Sequence, residues 1–145
     1  MCAVPKFRIA VAAELLGVSD DTVRRWIDSR KLAVERDQSR TMVIDGATLA
    51  AFAQDRAHAP YDPMPWIGSS ARNRLVGLVT RVVSDTVMTQ IEVQCGPHRM
   101  VSLMSTEAAE ELNLQPGFLV VAVVKSTQVL IETPQKPNVL AAQSA

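Results

Sequence analysis

Three prolines within six residues, Pro60, Pro63 and Pro65, divide the 145-residue chain into halves that obey different periodicities. Proline has a fixed φ and no N–H, so this run continues neither a helix nor a central strand. Residues 59–68 therefore read as a semi-rigid linker. Before it, from Phe7 to about Asp55, apolar residues recur at helical spacing, broken by one short extended section. After it, from Leu75 to Glu132, the spacing is mostly of period two. Halves of this size bury modest cores, and such halves often lean on oligomerisation.

In the first half, Ile9, Ala12, Ala13, Leu15 and Leu16 predict a short helix that stops at Gly17. Ser19 is placed to cap a second helix, with Asp20 and Asp21 in its first turn, where negative charge suits the helix dipole. Val23, Trp26 and Ile27 form its apolar stripe. Residues 32–44 read as two extended segments around Asp37, Gln38 and Ser39, and Asp45 caps a last helix holding Leu49, Ala50 and Phe52. In the second half, Val87, Thr89, Ile91 and Val93 alternate with Met88, Gln90, Glu92 and Gln94, as in a half-buried strand. Residues 75–83, 99–104, 118–124 and 129–132 supply further strands, with a hairpin turn at Gly96-Pro97 and one helix at 106–112. Five strands with a helix between the third and fourth describe a small OB-like barrel.

The helix pair around Gly17 is a helix-turn-helix pattern, with Thr22, Arg24 and Arg25 on the outward side of the second helix. The chain is neutral overall, yet six basic residues against three acidic ones lie between Arg24 and Arg40. The run Val18-Ser19, Thr22 to Trp26 and Arg30-Lys31-Leu32 resembles the MerR/excisionase-type winged helix-turn-helix over residues 7–55. The resemblance implies double-stranded DNA as partner, with Thr22, Arg24, Arg25, Lys31, Arg36 and Arg40 as contacts and the segments after Leu32 as a wing. The wing is less basic than is usual, and a Gly-linked helix pair also serves in purely structural bundles.

Ser69-Ser70-Ala71-Arg72-Asn73-Arg74, together with Val123-Val124-Lys125-Ser126 and the segment 104–112, resembles the molbindin (Mop or TOBE) domain over residues 69–132. This implies an oxyanion, molybdate or tungstate, held by Ser70, the Ala71 N–H, Arg72, Ser105, Lys125 and Ser126, with contacts drawn from more than one subunit. The donor set suits such a ligand: molybdate is a full dianion and only accepts hydrogen bonds. Ala108 departs from the family, which often carries Ser there. Singly, each residue also suits a plainer role, Lys125 as an edge charge and Ser70 or Ser105 as a cap or turn.

His58 and His98 share no ligand spacing, and neither a protein-ligated metal cation, nor a catalytic triad, nor a Walker motif is expected. Cys2 and Cys95 lack CxxC spacing and read as reduced intracellular thiols. No signal-peptide pattern opens the sequence, and the longest apolar run, 118–124, is too short to span a bilayer, so a cytoplasmic protein with no membrane partner is expected.

The expected fold is thus α+β in two small domains. A winged helix-turn-helix (1–58) and the linker (59–68) precede an OB-like five-stranded barrel with one short helix (69–133) and a flexible tail (134–145). The expected function is a homo-oligomeric, molybdate-responsive, DNA-binding transcriptional regulator. Two alternatives stand beside it: an intracellular molybdate store with a helix-turn-helix adaptor, and a DNA-binding protein whose barrel only oligomerises. An enzyme is not expected.

Overall fold

The computed structural model describes residues 3–134, so Cys2 and the part of the expected tail beyond Pro134 lie outside the described residues. Two compact units divide the chain, one ending at His58 and the other running over Ala59–Ile131.

The N-terminal unit begins with strand β1 (Lys6–Arg8), helix α1 (Ile9–Leu16) and helix α2 (Asp20–Asp28). Gly17 closes α1 at φ +66, a left-handed conformation that glycine adopts without cost. Ser19 then starts α2, its hydroxyl accepting the Thr22 N–H at 3.3 Å. The hairpin strands β2 (Glu35–Arg36) and β3 (Met42–Asp45) follow, and Asp45 caps helix α3 (Gly46–Arg56) by accepting the Ala47 N–H. The extended pair and both caps agree with expectation. Strand β1 does not: Phe7 opens the helical spacing in the sequence, yet Lys6–Arg8 pairs antiparallel with β3, Phe7 opposite Ile44. Three residues are too few to set a period, so only the tertiary partner reveals the strand. The sheet order is β1-β3-β2, and Ile9, Ala12, Val23, Leu32, Ile44 and Leu49 form the buried core beneath it.

The C-terminal unit carries strands β4 (Asn73–Ser84), β5 (Met88–Cys95) and β6 (His98–Ser105), helix α4 (Thr106–Glu111) and strand β7 (Leu119–Val124). All pairings are antiparallel, in the order β6-β5-β4-β7. The curled sheet wraps a core of Val79, Ile91, Val93 and Cys95, backed by Met100 and Val120. Gly77 lets β4 pass close to β5: a Cβ there would stand 2.5 Å from the Gln94 carbonyl oxygen and 2.7 Å from Cys95 Sγ. Thr89, Ile91 and Val93 are buried as the alternation requires. Val87 is 67% exposed, because β5 starts one residue later and Val87 belongs to the turn organised by the Asp85 carboxylate.

The fifth strand expected over residues 129–132 is not formed. After β7 a 3-10 turn, Ser126–Gln128, diverts the chain, with the Gln128 N–H bonded to the Lys125 carbonyl, and no strand follows among the described residues. Leu130 and Ile131 are left 88% and 83% exposed. The curled sheet is therefore open between edge strands β6 and β7, and an apolar groove of about 500 Å³ is lined by Met100, Met104, Leu114, Phe118, Val120 and Ala122. Residues 59–68, expected as a linker, include Asp62, whose carboxylate accepts from the Met64 N–H at 2.8 Å and pairs with Arg74 at 3.3 Å. No helix among the described residues is long and apolar enough to cross a membrane.

Candidate functional site

The α1–turn–α2 unit presents its cations on one element. Arg24 and Arg25 are exposed on α2, and neither forms an ion pair among the described residues. Val23 on the opposite face is fully buried, which fixes the helix's rotation about its axis. Thr22 is less available than the sequence suggests. It is half-buried, and its hydroxyl lies 3.0 Å from the Ser19 hydroxyl as part of the cap. Lys31 is exposed just past α2, where Arg30 at φ +57 closes the helix with the Arg30 and Lys31 N–H groups bonded to the Ile27 and Trp26 carbonyls.

Arg36 and Arg40 sit on the β2–β3 hairpin, both exposed. They are linked: Arg36 Nη1 donates to the Arg40 carbonyl at 2.9 Å, and Arg40 has φ +61. The loop between them is organised by Asp37, whose Oδ1 accepts from the Ser39 N–H, the Ser39 hydroxyl and the Thr41 N–H at 2.8, 2.7 and 2.9 Å. The hydroxyl of Ser39, aided by the Thr41 amide, holds this carboxyl below the usual range. The sequence reading missed Asp37's role and that of Arg56, whose guanidinium stacks 4.4 Å from the Trp26 ring centre and 5.0 Å from that of Phe52. An Asp two residues before Ser is a signal for such a loop. The Arg56 stack has no signal of that kind, because it joins residues 30 positions apart in the chain.

The residues expected to hold an oxyanion fall into two groups. Asn73 and Val124 are partners across β4 and β7, with the Asn73 amide donating to the Val124 carbonyl at 3.2 Å. Arg72 precedes this pair and Lys125 follows it, so the two cations flank one end of the strand pair, with Ser70 and Ser126 beside them. All four side chains are exposed, and neither cation has a carboxylate partner among the described residues. Ser105 lies elsewhere. It pairs with Met88 at the far end of β6, near Ser84 and Thr89, whereas Asn73 begins the 12-residue β4. At about 3.3 Å of rise per residue these are opposite ends of the sheet. One chain thus does not bring Ser105 to Arg72 and Lys125.

Two backbone donors at these positions are occupied. The Ala71 N–H, implied as an anion contact, donates instead to the Ser69 hydroxyl at 3.1 Å, and Ala71 is buried. The Ala108 N–H donates to the Ser105 hydroxyl at 3.2 Å as the cap of α4. The Ser105 hydroxyl keeps its own proton for donation. Arg74, two residues after Arg72, is the neighbouring cation that is neutralised, by Asp62.

Residues 69–131 match the TOBE domain family and residues 7–57 a helix-turn-helix domain family. Molybdenum-pterin-binding protein 2 of Clostridium pasteurianum is 36% identical over 63 residues, which cover 43% of this chain and 93% of that protein. Molybdenum transport protein ModE of Herbaspirillum seropedicae is 35% identical over 66 residues, 45% of this chain, and the chain spans only 24% of its length. A solved molybdate binding protein from Sporomusa ovata shares 30% identity and a TM-score of 0.45, covering 46% of this chain and 100% of that one.

Proposed function

This chain belongs to the TOBE-domain family and carries a helix-turn-helix domain ahead of that domain, and on this basis we propose that it is a molybdate-responsive, DNA-binding regulator. The observation that carries the anion half is the pair of exposed cations, Arg72 and Lys125, flanking one end of β4 and β7 with hydroxyls beside them. A tetrahedral dianion that only accepts hydrogen bonds matches a set made of donors alone. The kind of ligand is supported by the molybdenum-pterin-binding relative, which the chain matches over nearly its whole length.

The pocket is completed by a second copy. Ser105 stands at the far end of the sheet from Arg72 and Lys125, so a neighbouring chain supplies it to the shared site. Two further features support assembly through this unit. Edge strands β6 and β7 bound an open apolar groove, and the segment Val129, Leu130 and Ile131 leaves the sheet with its apolar side chains exposed. A lone chain with such surface is costly in water, and a reciprocal exchange removes both exposures at once.

The reading half is the exposed Arg24 and Arg25 of α2 with Lys31, Arg36 and Arg40 nearby in the same unit, the hairpin serving as a wing on phosphate. Anion binding between copies biases the placement of two such heads. A store would instead bind anion with no effect on DNA, a reading favoured by the near-complete match to a protein of TOBE-domain length.

Two measurements on one preparation test this. Titration calorimetry with molybdate, tungstate, sulfate and phosphate is expected to give tight binding of the first two only. DNA binding by fluorescence anisotropy, repeated with saturating molybdate, is expected to change. Unchanged DNA affinity with tight anion binding establishes the store. Absence of anion binding overturns the sensor, and loss of DNA binding in an Arg24/Arg25 double alanine variant confirms the reading head.

A further inference from the structure

A carboxylate on a surface that meets phosphate is unfavourable on charge alone, yet the β2–β3 hairpin places Asp37 between its two arginines. The hydrogen bonds explain why an acid stands there. Three donors converge on Asp37 Oδ1, two from Ser39 and one from Thr41. The Asp37 N–H and carbonyl also bond to Thr41 and Arg40 across the same loop, each at 3.0 Å. The loop so closed holds Arg40 at φ +61, which a non-glycine residue keeps only when its surroundings enforce it. The Arg40 carbonyl in turn receives the Arg36 guanidinium. The directions of both hairpin cations therefore depend on one acceptor atom.

We propose that Asp37 is a positioning residue for DNA binding: through the loop it organises, it aims Arg36 and Arg40 at phosphate, without touching DNA itself. This rests on the DNA-binding reading above. It makes a prediction opposite in sign to simple electrostatics. Removing an anion from a DNA-facing hairpin strengthens binding if charge alone matters, and weakens it if the loop matters.

Asp37→Asn and Asp37→Ala separate the two effects. Asparagine keeps an Oδ1 acceptor and suits this loop, whereas alanine has no acceptor. Binding of the full chain to a fluorescein-labelled, mixed-sequence duplex is measured near 0.15 M salt. Failure of one arginine to reach its phosphate weakens binding roughly fivefold under these conditions, from a salt slope of about 0.9 per phosphate. Asp37→Ala is expected to bind about 5- to 30-fold more weakly, and Asp37→Asn at least as tightly as the wild type. In an Arg36→Ala/Arg40→Ala background, Asp37→Ala is expected to cause no further loss. Should Asp37→Ala fail to fold, Ser39→Ala removes the hydroxyl's bonds to Asp37 and Thr41 from an exposed position and leaves both backbone bonds to Asp37 Oδ1. It is expected to weaken binding in the same direction, again only when both arginines are present.

Wild-type affinity or tighter in Asp37→Ala overturns the proposal, as does an equal loss in the background lacking both arginines. If the full chain does not bind the duplex at all, the DNA-binding reading itself fails, and the proposal fails with it. Binding without the Ala-versus-Asn difference defeats the proposal alone.

Discussion

At the scale of single residues, the chemistry of the proposed anion site is divided between groups that are free and groups already committed. Lys125 and Arg72 have no carboxylate partner among the described residues, while Arg74 is paired with Asp62. In a single chain Lys125 is exposed, and an exposed cation contributes little to affinity. A second copy that covers it changes this, because a desolvated dianion that loses a cationic partner is left uncompensated. Lys125→Ala is therefore expected to weaken molybdate binding by about two orders of magnitude or more in calorimetry. Unchanged affinity would show that the pocket lies elsewhere.

A second residue-scale effect concerns acid stability. Glu92 on β5 receives Arg99 Nε at 3.0 Å and lies 3.6 Å from Arg81. The hydrogen bond from Arg99 holds its carboxyl below the usual glutamate range. A carboxyl whose folded pKa is depressed binds protons more readily when unfolded. Its stabilisation is complete above the ordinary value, about 4.3, and is lost as the pH falls through the lowered one. Thermal melts are expected to show a destabilisation of the C-terminal unit on acidification below pH about 4 that is smaller in Glu92→Gln. An identical acid slope in the two proteins would exclude this role.

At the scale of elements, helix ends show where the local code is followed and where it is overridden. Ser19, Asp45 and Ser105 each cap the helix that follows through a side-chain oxygen. Gly17 ends α1 in the left-handed region that glycine favours. Arg30 ends α2 in the same kind of conformation without glycine's freedom, held by its bond to Ile27 and that of Lys31 to Trp26. Left-handed backbone costs an L-residue about 1–2 kcal/mol, and glycine gives back part of this as lost chain entropy. Arg30→Gly is expected to stabilise the N-terminal unit by roughly 0.5–1 kcal/mol in denaturant melts. A loss of stability would mean that the Arg30 side chain makes an interaction worth more than the strain.

At the scale of the whole molecule, the C-terminal unit leaves apolar surface uncovered. Among the described residues its sheet has four strands, its groove between β6 and β7 is open, and Leu130 and Ile131 face solvent. Sedimentation is expected to show an oligomer, and a Leu130→Asp/Ile131→Asp variant is expected to shift it toward the monomer and to weaken molybdate binding in parallel. A concentration-independent monomer that still binds molybdate tightly would overturn the shared site.

Local rules carried much of this architecture. The caps, the Gly17 turn and the alternation of Thr89, Ile91 and Val93 are short-range patterns, so they are written in the sequence and appear as written. The exposed Arg24 and Arg25 were legible for the same reason, since Val23 and Trp26 fix which side of α2 faces outward. What the sequence could not determine depends on partners distant in the chain. Strand β1 exists only because β3 lies beside it, and 129–132 pairs with no strand after the 3-10 turn although the edges of β6 and β7 stand open. The Ala71 N–H looked free until the structure placed the Ser69 oxygen on it. Ser105 belongs with Lys125 in sequence motif, but register puts them at opposite ends of one sheet. Residue types specify what a site can bind, whereas strand register, a long-range property of the sheet, decides which of those residues one chain can bring together.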